Sequence, residues 1–417
     1  MIRATPISSK EARTADRPLR LLYVACPTSL TLQSANAVQT WNTLRELRRL
    51  APSTLALVPR WLSEPTRFGE VGAVHLPRPA VGKLSRLHRT TLWSYLERSL
   101  FSAMTAGVIL VQGLRGRWVD VAYVRDTVAA AWWAAVWGKA LGVRVVYEAH
   151  DLEARNPSRA KEAWAQGLVR RMDEAALEES AHIVSLTADF RRLLETEGLR
   201  VSTEVAVVPD AFDETVFRPG GRAAAREALG LPASASLVVY AGLTFAYRRL
   251  ELLLQAVAVL RPSHPHLRAV LVGGRPAEIA ALREETRALG LGEGVVFTGP
   301  RPQDEVVGYL QAADVLAIPD TVTDVTASPL KLFEYLAVGR AVVLPDIAAL
   351  QEILPAETGY YFHRGDAADL AAVLDRALRD PRREERERGG RQAVLPYTYA
   401  ARARAILDVA EEVRARG

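Results

Sequence analysis

The stretch Val315–Leu344, VLAIPDTVTDVTASPLKLFEYLAVGRAVVL, contains a complete strand–helix–strand pattern. The apolar runs Val315–Pro319 and Ala341–Leu344 are typical of buried parallel strands, and Leu330–Val338 between them has the spacing of a helix. A helix that connects two such strands indicates a parallel sheet. The sequence therefore predicts an α/β fold, and the same alternation of strands and helices continues in both directions from this stretch.

The alternation forms two series, which are separated by a loop rich in Pro and Asp, VPDAFDETVFRP, near residue 215. It predicts a flexible tail over residues 1–18, a Rossmann-like domain over 19–215, a second Rossmann-like domain over 216–395, and a C-terminal helix over 396–417. The length of 417 residues suits two or three domains at about 150 residues each.

Composition excludes several classes of protein. The chain is 49% hydrophobic and 24% charged, with a mean hydropathy of +0.02, which is typical of a globular protein and not of a disordered or polytopic membrane chain. The single cysteine, Cys26, excludes a disulfide framework and any zinc site built on two thiolates. The first twenty residues lack the apolar core of a signal peptide, so a reducing, cytoplasmic location is expected.

The charge balance favours a small anionic substrate over nucleic acid. There are 53 basic and 48 acidic residues, which gives a formal net charge of +5. The arginines are spread along the chain and no stacked aromatic platform accompanies them, so no nucleic-acid partner is expected. A modest positive charge suits a sugar nucleotide.

The motif Thr326–Gly339, TASPLKLFEYLAVG, carries the clearest chemical signal. Ser328 is typical of a helix cap and Pro329 suits the first helical position. A helix that starts directly after a parallel strand binds anions, and Lys331 adds a positive charge to its first turn. Glu334 lies on the same face, about 9 Å from the helix start at ~1.5 Å per residue, which suits a diphosphate and a ribose. A solvated Lys/Glu pair is the alternative interpretation.

A second motif, Tyr240–Leu254, YAGLTFAYRRLELLL, is a strand that ends at Gly242, followed by a loop and a helix that Arg248 and Arg249 are predicted to open. Arginine binds phosphate oxygens through two parallel hydrogen bonds. Cations at a helix start oppose the helix dipole, which favours a bound anion there over two solvated arginines.

These motifs resemble those of the retaining glycosyltransferases of family 4. The resemblance is specific in SPLKLFEYLAVGRAVV, YAGLTFAYRRLELLLQA, LVGGRP and VVFTGPRPQDEVVGYLQAADVLAIP, and looser in SANAVQTWNTLREL, VAYVRD and VVYEAHD. It extends over roughly residues 19–410. It implies a GT-B architecture, in which two Rossmann-like domains face a cleft and the C-terminal helix crosses back to the first domain. The N-terminal domain would bind the acceptor and the C-terminal domain the sugar nucleotide.

The resemblance also implies roles for individual residues. Arg248, Lys331 and His150 would be the catalytic residues, the first two at the diphosphate and the third beside the reacting sugar. Glu334 would hold the ribose. The other donor-binding residues would be Ser328, Pro329 and Leu330 at the helix start, Gly242 at the strand end, Thr326, and Pro300 and Arg301 beside the base.

Three positions depart from the family pattern. Thr326 stands where the family has the first Glu of its Glu-x7-Glu motif, Leu243 replaces a basic residue, and Ser34–Asn36 replaces a glycine-rich loop. Asp324 is a candidate for the missing carboxylate. The sugar and the nucleotide therefore stay open.

Outside these motifs, two structural roles are predicted from position. Asp126 follows the strand VAYVR and is expected to cap the next helix. Trp132, Trp133 and Trp137 have helical spacing and are expected in the core.

The resulting functional hypothesis is a retaining transferase that moves a sugar from a nucleoside-diphosphate sugar to an acceptor hydroxyl without a metal or a cofactor. The acceptor would be a sugar, a lipid-linked glycan or a small molecule. The alternatives are a sugar-nucleotide epimerase of the same fold and a non-catalytic sugar-nucleotide-binding subunit. Residues 83–104 combine basic and apolar side chains, which indicates either an ordinary surface helix or a peripheral contact with a membrane.

Overall fold

The computed structural model describes residues 17–61, 64–78, 91–155, 164–321, 324–325 and 328–416. The chain divides into two compact units, Met1–Val208 with Tyr399–Gly417, and Pro209–Thr398. Most of the tail predicted over residues 1–18 lies outside the described residues. The boundary between the units lies at Val208 and Pro209, a few residues before the predicted position near residue 215. Phe212 belongs to the second unit because its N–H donates to Tyr397 O (3.0 Å) and its side chain is buried in that unit's core.

The first unit contains a parallel sheet with strand order β3-β2-β1-β4-β5-β6-β7. Its strands are β1 (Leu21–Val24), β2 (Leu55–Arg60), β3 (Val74–Pro77), β4 (Val121–Val124), β5 (Arg144–Ala149), β6 (His182–Ser185) and β7 (Val205–Val207). The strand order reverses between β1 and β4, which pair in register from Leu21↔Val121 to Val24↔Val124. Tyr23 and Tyr123 stack across this pair with ring centroids 5.6 Å apart.

Helices cover the first sheet. They are α1 (Ala35–Leu50), α2 (Thr91–Leu114), α3 (Thr127–Trp132), a π turn (Trp133–Trp137), α4 (Gly138–Leu141), α5 (Gln166–Glu179), α6 (Ala188–Thr196) and the C-terminal helix α15 (Tyr399–Ala415). As expected from the resemblance, α15 returns to this unit, where Ala403 and Ile406 pack in the core with residues of β1 and α1.

The predicted cap at Asp126 is confirmed, because its carboxylate accepts the N–H of Ala129 at 3.0 Å. The tryptophan prediction is right for Trp133, which is fully buried. It is wrong for Trp132, which is 37% exposed and donates its indole N–H to Ser99. Trp137 is half-buried and stacks on Trp132. Trp132 and Trp133 are adjacent, and at ~3.6 residues per turn adjacent side chains of a helix point about 100° apart, so the two do not share one buried face.

The second unit contains a parallel sheet with strand order β10-β9-β8-β11-β12-β13. Its strands are β8 (Ser236–Ala241), β9 (Leu267–Val272), β10 (Val295–Gly299), β11 (Val315–Ala317), β12 (Ala341–Pro345) and β13 (Tyr360–Phe362). Alternate residues of β8 enter opposite cores, because a strand repeats every two residues: Leu237 and Val239 enter one, and Val238 and Tyr240 enter the other.

The helices described in the second unit are α7 (Arg222–Ala228), α8 (Leu250–Leu260), α9 (Pro276–Ala288), α10 (Gln303–Ala312), α11 (Leu330–Ala337), α12 (Ala348–Gln351), α13 (Ala367–Arg379) and α14 (Arg383–Val394). Four of them, α8 to α11, were predicted from the sequence. The most apolar of the longer helices, α8, buries Leu252, Leu253 and Leu254 in succession, because the sheet lies on one side of it and α13 on another.

Candidate active site

The candidate site of the second unit lies where the strand order of its sheet reverses. This switch point is between β8 and β11, which pair at Val238↔Val315 and Val239↔Leu316. The chain leaves β8 at Gly242 and leaves β11 towards the start of α11. In open parallel sheets, ligands bind beyond the carboxyl ends of the strands at such a point.

Gly242 and Lys331 meet at this switch point. Gly242 has φ +137°, and a Cβ atom there would lie 3.1 Å from the Lys331 Nζ. A side chain at position 242 would therefore both strain the backbone and displace the amine. The glycine and the lysine of the two predicted motifs are thus brought together.

Lys331 lies in the first turn of α11 and contacts Tyr240. Its Nζ donates to the Tyr240 hydroxyl at 2.8 Å and lies 3.9 Å from the ring centroid, which is a cation–π geometry. Within the part of the chain that the structure describes, the Tyr240 hydroxyl is the group that accepts a hydrogen bond from the Lys331 amine. Burial lowers the pKa of Lys331 well below its usual value, and nearby Arg248 lowers it further. A bound anion would relieve both effects.

Glu334 lies one turn further along α11 and is half-buried. Burial raises the pKa of its carboxyl group to about 8, Lys331 opposes this rise, and Asp210 adds to it. A lysine and a glutamate whose pKa values are shifted in this way, three residues apart on one helix, are typical of a functional site.

The start of α11 differs from the predicted cap. The helix begins at Leu330, Pro329 occupies the cap position, and no side chain caps it. Ser328 lies one position too early, and its Oγ accepts the backbone N–H of Asp210 at 3.3 Å. The N–H groups of Leu330 and Lys331 precede the first hydrogen bond within the helix, so this helix end can bind an anion.

The two arginines of the second motif have different surroundings. Arg248 ends a short 3-10 turn, Ala246–Arg248, with its guanidinium 5.0 Å from the ring centroid of Tyr247. Arg249 does not open a helix turn but precedes α8 in a left-handed conformation, φ +50°, and pairs with Glu251 at 2.5 Å. Because Arg248 alone acts on the pKa of Lys331, we assign Arg248 to the site and Arg249 to a local ion pair.

Pro300 and Arg301 are exposed residues at the carboxyl end of β10, separated from β8 by β9. The Arg301 guanidinium pairs with Glu305 at 3.4 Å. They share the carboxyl edge of the sheet with Gly242, but no described contact joins them to Lys331.

The position of Thr326 lies outside the described residues. Asp324, the candidate replacement carboxylate, pairs with Arg364, which also binds Asp320 at 2.7 Å. Asp324 is therefore engaged by an arginine. Among the described residues, no group of three or more His, Cys, Asp or Glu side chains could hold a metal ion.

His150 belongs to the first unit, where it follows β5. Its Nε2 lies 2.7 Å from Glu148 Oε1 and 3.2 Å from Arg125 Nη2. Sequence reasoning missed Arg125 and Glu148. The signal was their charge inside the apolar runs VAYVR and VVYEA, since charged residues are rarely buried without a partner.

Tyr240 and Tyr335 of the second unit were also missed. The Tyr335 hydroxyl, from α11, accepts the N–H of Ala241 at 2.7 Å, directly before Gly242. The Tyr240 hydroxyl donates to Leu243 O at 2.5 Å, directly after it. The two tyrosines therefore fix the backbone on both sides of Gly242.

Comparisons with known proteins identify related sequences and structures. Residues 235–380 match the family described as Glycosyl transferases group 1. The chain is 29% identical over 283 residues to a D-inositol 3-phosphate glycosyltransferase of Stackebrandtia nassauensis, covering 65% of this chain and 62% of that relative. The chain thus spans about six tenths of the length of this relative.

Solved structures share the fold. Sucrose-phosphate synthase from Thermosynechococcus elongatus matches with a TM-score of 0.77 at 19% identity, over 96% of this chain and all of that one. Anabaena HepE in complex with UDP matches with a TM-score of 0.72 at 16% identity, over 94% of this chain and all of that one. The resemblance to family 4 glycosyltransferases predicted from the motifs is confirmed by the family match over residues 235–380 and by the curated relatives.

Proposed function

We propose that this protein transfers a glycosyl group from a nucleoside-diphosphate sugar to an acceptor hydroxyl, with retention of the anomeric configuration. The observation that carries the proposal is the Lys331 amine, placed against Gly242 at the open start of α11 and at the switch point of the sheet. Such a site combines a positive charge, free N–H groups and a backbone that a phosphate can approach closely. Glu334, one turn further along α11, would then hold the ribose.

The names of similar proteins support the two substrate classes. The structure of Anabaena HepE contains UDP, which is a nucleoside diphosphate. The curated relative from Stackebrandtia nassauensis is named for D-inositol 3-phosphate. We therefore propose a nucleoside diphosphate as the leaving group and an inositol phosphate as the first acceptor to test.

The proposed chemistry is a displacement on one face of the sugar. The bond between the anomeric carbon and the β-phosphate oxygen breaks, and the acceptor oxygen bonds to the same face of that carbon. The acceptor proton passes to the departing phosphate oxygen. Negative charge grows on the diphosphate, where Lys331, Arg248 and the N–H groups at Leu330 and Lys331 would stabilise it, and such preorganised charge supplies the largest catalytic effect in many enzymes.

An assay that follows both transfer and its alternatives tests the proposal. UDP-, GDP- and ADP-sugars are first ranked by thermal shift, since a ligand at ~100 times its Kd adds about 2.7 kcal/mol of stability. The best donor is then incubated with D-inositol 3-phosphate and with a cell extract. We expect a glycosylated product with the donor's anomeric configuration. Isomerised sugar nucleotide would support the epimerase alternative, and saturable binding without any product would support the binding subunit.

Transfer should require no divalent metal. Arg248 and Lys331 already supply the positive charge that Mg²⁺ would contribute at a diphosphate. We expect the same rate in EDTA as in Mg²⁺ or Mn²⁺. A rate that EDTA abolishes and a metal restores would contradict this.

We also propose that α2 contacts an anionic membrane surface. Residues 83–90 of the predicted basic segment lie outside the described residues, but α2 continues to Leu114, beyond the predicted end. No charged residue occurs between Arg98 and Arg115, and the exposed side of the helix carries large apolar side chains that are 43–80% exposed. These are Leu96, Leu100, Leu110, Val111 and Leu114. Exposed Arg115, Arg117 and Trp118 follow, which is the pattern of an interfacial helix.

Vesicle binding checks this second proposal. No helix among the described residues is long and apolar enough to cross a membrane. We expect the protein to sediment with vesicles that contain phosphatidylglycerol, and L110S/L114S to sediment less. Val259, which is 63% exposed on α8, provides the control V259S, which should sediment like the wild type. If the wild type does not sediment, or forms a dimer that L110S/L114S dissociates, the surface does not bind membrane.

A further inference from the structure

A buried tyrosine joins two parts of the candidate site. Tyr240 is the penultimate residue of β8, and its side chain is fully buried. Its hydroxyl donates to Leu243 O, in the loop that follows Gly242, at 2.5 Å. The same oxygen accepts a hydrogen bond from the Lys331 Nζ, in the first turn of α11, at 2.8 Å. One hydroxyl group therefore connects the backbone beyond Gly242 to the amine of another element.

The direction of these two hydrogen bonds follows from the chemistry of the groups. A hydroxyl has one proton, and the Leu243 carbonyl can only accept, so the Tyr240 proton points to Leu243. The lone pairs of the oxygen then face Lys331, whose ammonium group can only donate. Burial raises the pKa of Tyr240, so the hydroxyl keeps its proton and this direction at neutral pH. Tyr240 is therefore a constant acceptor for the lysine.

The aromatic ring of Tyr240 acts on the same amine. The Lys331 Nζ lies 3.9 Å from the ring centroid, where the negative charge of the ring face attracts a cation. The hydroxyl oxygen and the ring thus both favour the charged form of the amine. An ammonium group has three N–H donors, and within the described part of the chain the Tyr240 oxygen accepts one of them. Two donors are left for the oxygens of a ligand.

The charged groups around this pair do not hold Lys331 in its charged form by themselves. Burial lowers the pKa of Lys331 most, Arg248 before α8 lowers it further, and Glu334 on α11 raises it. The pKa of Glu334 is itself raised to about 8, so its carboxyl group is largely protonated at neutral pH. Around the tyrosine hydroxyl, Arg248 is opposed by Tyr247 and Glu278. The neutral tyrosine oxygen is therefore the acceptor that compensates the lysine for its lost hydration.

We propose that Tyr240 is a positioning residue for Lys331. Its hydroxyl, oriented by Leu243 O, holds the amine against Gly242 and favours the charged form before a diphosphate binds. A charge that is already in place costs no reorganisation when negative charge grows on the leaving group. The consequence for turnover rests on the proposed glycosyl transfer, whereas the position and the titration of Lys331 in the free protein do not.

The first test uses the wild type without a substrate. The chain has five lysines, so protein labelled with ¹³C at the ε-carbon of lysine gives a simple spectrum. K331M identifies the Lys331 signal by its loss. Because the amine lies over the ring, the protons of the adjacent methylene group should be shifted upfield from those of Lys139, which is 60% exposed. Equal shifts for the two lysines would overturn the proposal.

The second test removes the hydroxyl and keeps the ring. In Tyr240→Phe, the Lys331 amine loses its acceptor but not the aromatic face. We expect the proton affinity of Lys331 in the free protein to fall at least ~tenfold, which lowers the midpoint of its titration by about one pH unit, since this is the scale of a hydrogen bond to a charged group. The titration of Lys139 in the same spectra should not change. An unchanged midpoint for Lys331 would overturn the proposal, whether or not the protein transfers sugars.

Tyr360 provides a matched control in the same unit. It is also fully buried, its hydroxyl donates to Asp380 at 2.7 Å, and the Arg386 guanidinium lies 5.1 Å from its ring centroid. Y360F therefore removes a buried, hydrogen-bonded hydroxyl beside a cation, but not the one that contacts Lys331. We expect Y360F to match the wild type in the titration of Lys331 and in turnover. A Lys331 midpoint lowered equally by Y360F would show a general effect of the substitution.

The pH dependence of turnover separates this role from a purely structural one. The charged amine is the form that stabilises the diphosphate, so kcat/KM should fall as pH rises through the midpoint of Lys331. We expect the ratio of kcat/KM for Tyr240→Phe to that of the wild type to decrease by up to ~tenfold as pH rises through the two midpoints. A ratio that is the same at every pH would leave Tyr240 a purely structural residue. If Tyr240→Phe does not fold, as judged by circular dichroism, the shift of the Lys331 methylene group in the wild type decides the matter.

Discussion

Replacing Lys331 by methionine should lower kcat for glycosyl transfer by at least ~10²-fold, the scale measured when one preorganised charge or donor is removed. The amine lies 2.8 Å from the Tyr240 hydroxyl and against Gly242, so its position is fixed before a ligand binds. Methionine keeps the length of the side chain and removes the charge. The diphosphate would then lose a cation at the moment when its charge increases.

The thermal stability of Lys331→Met should be equal to or higher than that of the wild type, although its kcat falls. The pKa of Lys331 is lowered in the folded protein, which means that the folded state binds its proton less well than the unfolded chain does. The charged lysine therefore destabilises the fold at neutral pH, and Lys331→Met should melt at the same or a higher temperature. Lys139, which is 60% exposed and pairs with Glu179, provides the control K139M. Near-normal transfer by Lys331→Met would remove Lys331 from the site.

The second unit could be predicted closely because its motifs are continuous in sequence. The strand before α11, the helix itself and the strand after it were all found within one stretch of thirty residues. The two strands that were missed are β3 and β13. β13 has only three residues, and β3 has no fully buried residue, so neither has the apolar run that identifies a parallel strand.

The contacts that complete the site could not be predicted in the same way. Tyr240 and Lys331 are 91 residues apart, and Asp210 and Ser328 are 118 residues apart. Local pattern indicates which face of a strand or helix is buried, but not which polar group meets another inside. Ser328 illustrates this limit. Its residue type predicted a helix cap, whereas in the structure its hydroxyl accepts a hydrogen bond from the backbone N–H of Asp210.

Above about pH 8, where the carboxyl group of Glu334 is ionised, replacing Glu334 by glutamine should weaken binding of the nucleotide donor by roughly tenfold or more, since hydrogen bonds to a charged group contribute about 1.5–3 kcal/mol. The ribose is remote from the bond that breaks, so kcat at saturating donor should fall much less than the affinity does. Titration calorimetry with the free nucleoside diphosphate measures the loss directly. A variant with normal affinity that fails only in turnover would contradict the role given to Glu334.

The same variant should stabilise the free protein, and the gain should depend on pH. The pKa of Glu334 is about 8 in the folded protein and ordinary in the unfolded chain, so the folded state holds the proton more tightly. Stability is therefore lost as pH rises from about 4.5 to 8, where the unfolded chain ionises freely and the folded site resists ionisation.

Glutamine does not ionise, so Glu334→Gln should melt like the wild type near pH 4.5 and be more stable at pH 8. Because the side chain is half-buried and partly screened, we expect a gain of about 1–3 kcal/mol rather than the full value of the shift. Glu227 is an exposed glutamate of α7, and E227Q should show no such trend. Equal pH profiles for Glu334→Gln and the wild type would show that Glu334 ionises as freely in the fold as in the unfolded chain.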